Sequence, residues 1–154
     1  MSDKKRLFLL DAYALIFRGY YAFIKNPRIN SKGLDTSAIL GFTNSLLDVI
    51  KRERPDHLAV CFDKGGSKDR VEIFKEYKAN RDATPEGIKL AVPYIHKILE
   101  AMNIPAVVKD GFEADDIIGT LAMIGSFYTL CALLTRNFLT TLLDTKLMAI
   151  KFTL

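Results

Sequence analysis

Leu7-Phe8-Leu9-Leu10-Asp11 is an apolar run stopped by a carboxylate, and Leu58-Ala59-Val60-Cys61-Phe62-Asp63 repeats the pattern. Neither run alternates polar with apolar residues. Each therefore suits a strand covered on both sides, as in a buried parallel sheet. Ala106-Val107-Val108 is a third, shorter candidate. Between these runs the period changes. Thr36 to Arg52 carries Ile39, Leu40, Phe42, Leu46, Leu47, Val49 and Ile50 at helical spacing. Residues 12–24 mix aromatic and aliphatic groups around Arg18 and also suit a helix. Thr84-Pro85-Glu86 opens another, with Thr84 as N-cap and Pro85 at the first helical position, running to about Met102. Asn26-Pro27 and Ser31-Lys32-Gly33 read as loops. Strands separated by helices predict an α/β domain with a largely parallel sheet flanked by helices. Ligand sites of such sheets gather at the carboxyl ends of strands, where Asp11 and Asp63 both stand.

A helix predicted over Gly111 to Ala122 brings three more acids, Glu113, Asp115 and Asp116, into its first turn. Like charges this close repel unless a cation lies among them. Acids at a helix start also have an ordinary explanation, because the macrodipole favours negative charge there. Two strand-end aspartates in the same chain favour a hard divalent metal instead. Mg²⁺, with Mn²⁺ as the alternative, takes carboxylate and water oxygens. The only histidines, His57 and His96, are isolated, so zinc does not fit the donor set.

The 154 residues suit one domain with a sizeable core, and the net charge of +4 permits a polyanionic partner without requiring one. Cys61 and Cys131 lack metal or redox spacing and read as reduced, buried thiols of a cytoplasmic protein. The apolar run after the basic N-terminus is too short for a signal peptide. Charge is uneven: of the 40 charged residues, only Arg136, Asp144, Lys146 and Lys151 lie beyond residue 120. Leu121 to Thr135 is uncharged for 15 residues, short of the roughly 20 that span a bilayer, so no membrane segment is expected.

Arg70 to Arg81 reads as a polar helix. Lys78 and Arg81 share a face, with Phe74 and Tyr77 each four residues before one of these cations. Cations beside an aromatic can neutralise phosphates and stack on a base. The plainer reading pairs Glu72 and Glu76 with Lys75 and Lys78 on a solvated face. Beside a carboxylate metal cluster, the phosphate reading suits phosphodiester hydrolysis.

Four ordered segments carry a resemblance: Leu7 to Arg18, Leu58 to Arg70, Glu76 to Arg81 and Gly111 to Ala122. Residues 6–122 resemble the N-terminal part of the 5′-nuclease (5′-3′ exonuclease) domain of bacterial DNA polymerase I, in the flap-endonuclease superfamily. The resemblance implies Mg²⁺-dependent cutting of DNA 5′ ends and 5′ flaps in DNA replication and repair. It implies a bacterial cytoplasmic, nucleoid-associated setting. It implies metal roles for Asp11, Asp63, Glu113, Asp115 and Asp116. Lys78 and Arg81 resemble catalytic cations of a helical arch (about residues 64–84) that engage the scissile phosphate. Tyr77 resembles its aromatic, and Arg18 and Arg70 resemble further DNA contacts.

Beyond the acidic helix the family pattern is expected to continue with a threonine-proline-aspartate-lysine type motif and further metal ligands, which residues 123–154 lack. Leu133-Leu134-Thr135-Arg136-Asn137 can be encoded by ACT-CCT-GAC-AAG-GAA-TTT read one base later. The unshifted frame spells threonine-proline-aspartate-lysine-glutamate-phenylalanine. Residues from about 123 onward thus read as an out-of-frame tail, and the domain as incomplete at its C-terminus. A weakly active or inactive fragment is expected. The alternatives are a DNA-binding remnant and another small α/β nuclease with an acidic metal cluster. A phosphatase or nucleotide-binding domain is disfavoured, since the chain has neither a P-loop nor a GxGxxG fingerprint.

Overall fold

A computed structural model describes residues 5–64 and 83–134, with side chains as far as residue 125. Its elements are β1 (Leu7–Asp11), α1 (Ala12–Ala22), α2 (Ser37–Glu53), β2 (His57–Phe62), α3 (Glu86–Ala101), β3 (Ala106–Val108) and α4 (Ala114–Leu134). The three strands form one parallel sheet in the order β1-β2-β3. Leu7 pairs with His57 and Asp11 with Cys61, while Val60 pairs with Ala106. The α/β fold expected from the apolar runs is the fold observed.

From Leu58 to Phe62, strand β2 is apolar because both its faces are covered. Val60 and Phe62 join the larger core with Ala12 and Ile16 of α1, Phe42 and Leu46 of α2, and Ile95 and Leu99 of α3. Cys61 points the other way and packs with Ala114, Ile117 and Leu121 of α4. Successive strand residues face opposite sides, so one strand serves two cores. Helices α1 to α3 cover one face of the sheet and α4 the other.

Helices α3 and α4 differ from expectation at their ends. Helix α3 begins at Glu86, so Pro85 takes the cap position and accepts the amides of Ile88 and Lys89. Proline lacks an N–H, and its carbonyl is all this position requires. Helix α4 begins at Ala114 rather than Gly111 and continues unbroken past residue 122 to Leu134. Gly111 has φ +81°, a left-handed turn that keeps the chain out of the helix until Ala114.

Helices α1 and α2 touch backbone to backbone. A Cβ on Gly41 would lie 2.3 Å from the Cα of Gly19, and one on Gly19 would lie 2.9 Å from the Cα of Gly41. Both glycines sit inside helices, where glycine is otherwise unfavourable, so close approach accounts for them. Among the described residues no helix is long and apolar enough to cross a membrane.

Gly41→Ala is expected to destabilise the chain by about 1–3 kcal/mol, because a methyl group there forces the helices apart. Gly119, with nothing within 4 Å of its would-be Cβ, is the contrast. Gly119→Ala is expected to stabilise α4 by up to about 1 kcal/mol. Paired thermal melts followed by circular dichroism check both signs.

Candidate functional site

The acids collect where the sheet's strands end. Asp11 closes β1 and caps α1, its Oδ1 accepting the Ala14 amide at 3.1 Å. Asp63 follows β2, and its Oδ1 accepts the Ala114 amide at 2.5 Å. That bond holds the first residue of α4 against the exit of β2, although the two are distant in sequence. It therefore joins a strand-end aspartate to the Glu113-Ala114-Asp115-Asp116 turn.

Within the turn the three acids differ. Glu113 precedes the helix rather than lying in its first turn, and only 4% of its surface is exposed. Asp116 is the third helical residue, and its Oδ2 accepts the Glu113 amide at 3.1 Å. This is the return half of a capping box, with aspartate in the place of glutamate. Glu113 and Asp116 are thus linked as cap partners. Asp115 is exposed, and its Oδ1 accepts the Asp116 amide at 3.1 Å. Asp115 and Asp116 also lie where the helix dipole favours their charge.

Electrostatics link the strand ends further. Burial, with the Asp11 charge beside it, pushes the Cys61 thiol from an ordinary value of 9.0 up to about 11. Burial first, and then the Asp63 charge, raises the Tyr13 hydroxyl. Tyr13 stands edge-on to Phe62, ring centroids 6.3 Å apart and planes at 81°. It therefore lies between the start of α1 and the end of β2. Sequence reasoning passed over Tyr13, although its position two residues after Asp11 was a usable signal.

Among the described residues no three His, Cys, Asp or Glu side chains come together tightly enough to hold a metal ion. The donors at this edge are carboxylates, which suits a hard, largely hydrated divalent ion. Each of the acids with a hydrogen bond given above spends one oxygen on a backbone amide, which fixes its direction. His96 takes no part, its ring stacked on Phe62 at 4.1 Å.

Arg18 is exposed on α1 and donates to Ser45 Oγ at 2.6 Å, while Ser45 donates to the Gly41 carbonyl at 2.9 Å. Arg18, Asn44, Asp48, Lys51 and Arg52 line an open groove of about 490 Å³ that none of the five acids enters. Arg18 is therefore held by α2, apart from that edge's lining. Arg70, Tyr77, Lys78 and Arg81, with the expected arch, lie outside the described residues, and so does the side chain of Cys131.

A parallel sheet covered on both faces, with aspartates at the ends of β1 and β2, defines an α/β domain. The chain belongs to the family described as 5′-3′ exonuclease, N-terminal resolvase-like domain, whose model matches residues 6–135. It is 43% identical over 122 residues to the DNA polymerase I of Treponema pallidum, covering 79% of this chain and 12% of that protein. It is 39% identical over 118 residues to the 5′-3′ exonuclease of Aquifex aeolicus, covering 77% of this chain and 40% of that protein. The chain thus spans well under half the length of these relatives. Its fold matches the bacteriophage T5 D15 flap endonuclease, solved in complex with DNA and metal ions. The TM-score is 0.52 at 24% identity, covering 80% of this chain and 46% of that one.

Asp116→Ala is expected to cost about 1 kcal/mol of stability by leaving the Glu113 amide without its cap. Urea denaturation in the presence of a chelator reads this apart from any metal effect. Cys61 adds a pH signature. A folded value raised above the unfolded one contributes stability that is complete below the unfolded value of 9.0 and is lost as pH rises through about 11. The stability difference between wild type and Cys61→Ala should therefore shrink between about pH 8 and about pH 11, as urea melts at the two values would measure.

Proposed function

We propose that the chain supplies the N-terminal part of a divalent-metal-dependent 5′-3′ exonuclease or 5′-flap endonuclease acting on DNA. The observation that carries this reading is the Asp63–Ala114 hydrogen bond, which sets the end of β2 against the acidic turn of α4. The family membership supports the reaction class. The DNA and metal ions bound by the T5 flap endonuclease support the partner and the cofactor.

In this reading Asp11, Asp63, Glu113, Asp115 and Asp116 hold the metal shell, directly or through water, with Mg²⁺ favoured over Mn²⁺. The metal would supply an activated water and stabilisation of the leaving oxygen. The protein's part is to hold the carboxylates in fixed directions through their amide bonds. Lys78 and Arg81 would engage the scissile phosphate, Tyr77 would stack on a base, and Arg18 and Arg70 would grip the backbone. The setting proposed is the bacterial cytoplasm, in replication and repair.

Activity of this chain by itself is proposed to be weak, because residues 123–154 carry none of the further metal ligands that the family pattern implies beyond the acidic helix. The tail from about residue 123 is proposed to derive from a shifted reading frame. Sequencing the locus in all three frames tests this, and a tail with no family-like reading in another frame would exclude it.

A single-turnover assay with a 5′-labelled flap duplex and excess protein tests the main reading. Slow cleavage that requires Mg²⁺ and falls about tenfold or more in Asp63→Asn is expected. Cleavage that survives a chelator, or that ignores Asp63→Asn, would remove it.

A further inference from the structure

One cation stands at the acidic edge without serving the acids. Lys64 directly follows Asp63, yet its Nζ lies 2.8 Å from Asp110, outside the acidic group. Among the described residues this is its one ion pair, and none of Asp11, Asp63, Glu113, Asp115 or Asp116 shares it. Had Lys64 served to neutralise the carboxylates, it would be paired with one of them.

The pair is also open to exchange. The Lys64 side chain is 64% exposed and that of Asp110 is 79% exposed. Ion pairs this exposed contribute little to stability. Asp110 occupies a turn whose next residue, Gly111, has nothing within 4 Å of a would-be Cβ, so the space beside it is open. Meanwhile the Asp63 side chain, by accepting the Ala114 amide, already ties the exit of β2 to the segment that carries Asp110. The ion pair is therefore not needed to hold them.

A polyanion approaching five carboxylates is repelled unless cations at the rim offset them. We propose that Lys64 is a phosphate contact held by Asp110 in the free protein. When nucleic acid binds, the ammonium leaves Asp110 for the backbone phosphate next to the acidic edge. The inference rests on the DNA reading above and deepens it. Lys64 thereby becomes a binding residue at the exit of β2, and Asp110 its competitor.

The test is binding of a fluorescent 5′-flap DNA to the full chain by anisotropy, in a chelator, across a salt series. Lys64→Gln is expected to weaken binding about threefold to tenfold at low salt and to reduce the slope of log K against log salt by about 0.9. Asp110→Asn is expected to tighten binding about twofold to fivefold, since it removes the competitor and a negative charge. Lys64→Arg should restore affinity and slope. A Lys64→Gln chain with unchanged slope, or an Asp110→Asn chain that loses affinity as Lys64→Gln does, would overturn the proposal. Should Lys64→Gln fail to melt cooperatively, the Asp110→Asn affinity decides alone. A folded wild-type chain that binds no DNA would overturn the DNA reading and this inference together. Binding by wild type without the predicted changes would overturn the inference alone.

Discussion

Strand β2 must be dry on both sides, and the architecture follows from that constraint. Val60 and Phe62 are buried among α1, α2 and α3, whereas Cys61 is buried against α4. A strand so covered needs neighbours that satisfy its backbone without exposing it, and β1 and β3 supply them in parallel register. Parallel pairing aligns the carboxyl ends of the strands. Asp11 and Asp63 thereby arrive at one edge without any direct interaction between them.

At that edge, the acids proposed to hold the metal also have structural roles. Asp11 caps α1, Asp63 accepts the first amide of α4, and Asp116 accepts the amide of Glu113. Such bonds stabilise helix starts, and they also restrict where each carboxylate's second oxygen can point. The negative charge gathered at this edge is stabilised by backbone amides and helix dipoles.

Much of this was legible in the sequence, for identifiable reasons. Apolar runs ended by aspartates marked β1 and β2, and double burial is the reason those runs do not alternate. Helical spacing marked α2 and α3 to within a residue or so. The start of α4 was not legible, since Gly111, Phe112 and Glu113 satisfy a helical pattern while the left-handed turn at Gly111 excludes them. The Asp63–Ala114 and Lys64–Asp110 contacts were hidden because they join residues far apart in sequence, and nothing local encodes them. The Gly19–Gly41 contact was hidden for a related reason. Glycine within a helix looks like a local weakness until its partner is known.

That glycine contact has a mechanical meaning. Helix α1 carries Asp11 at its head and Arg18 two turns along, and α2 holds Arg18 through Ser45, four residues after Gly41. With no side chains between the two backbones at the crossing, there is no compliant layer in which one helix can slip along the other. The two helices behave as one stiff bracket. A substitution that would displace α2 at this crossing meets the backbone of α1 directly, with no side chain between them to absorb it.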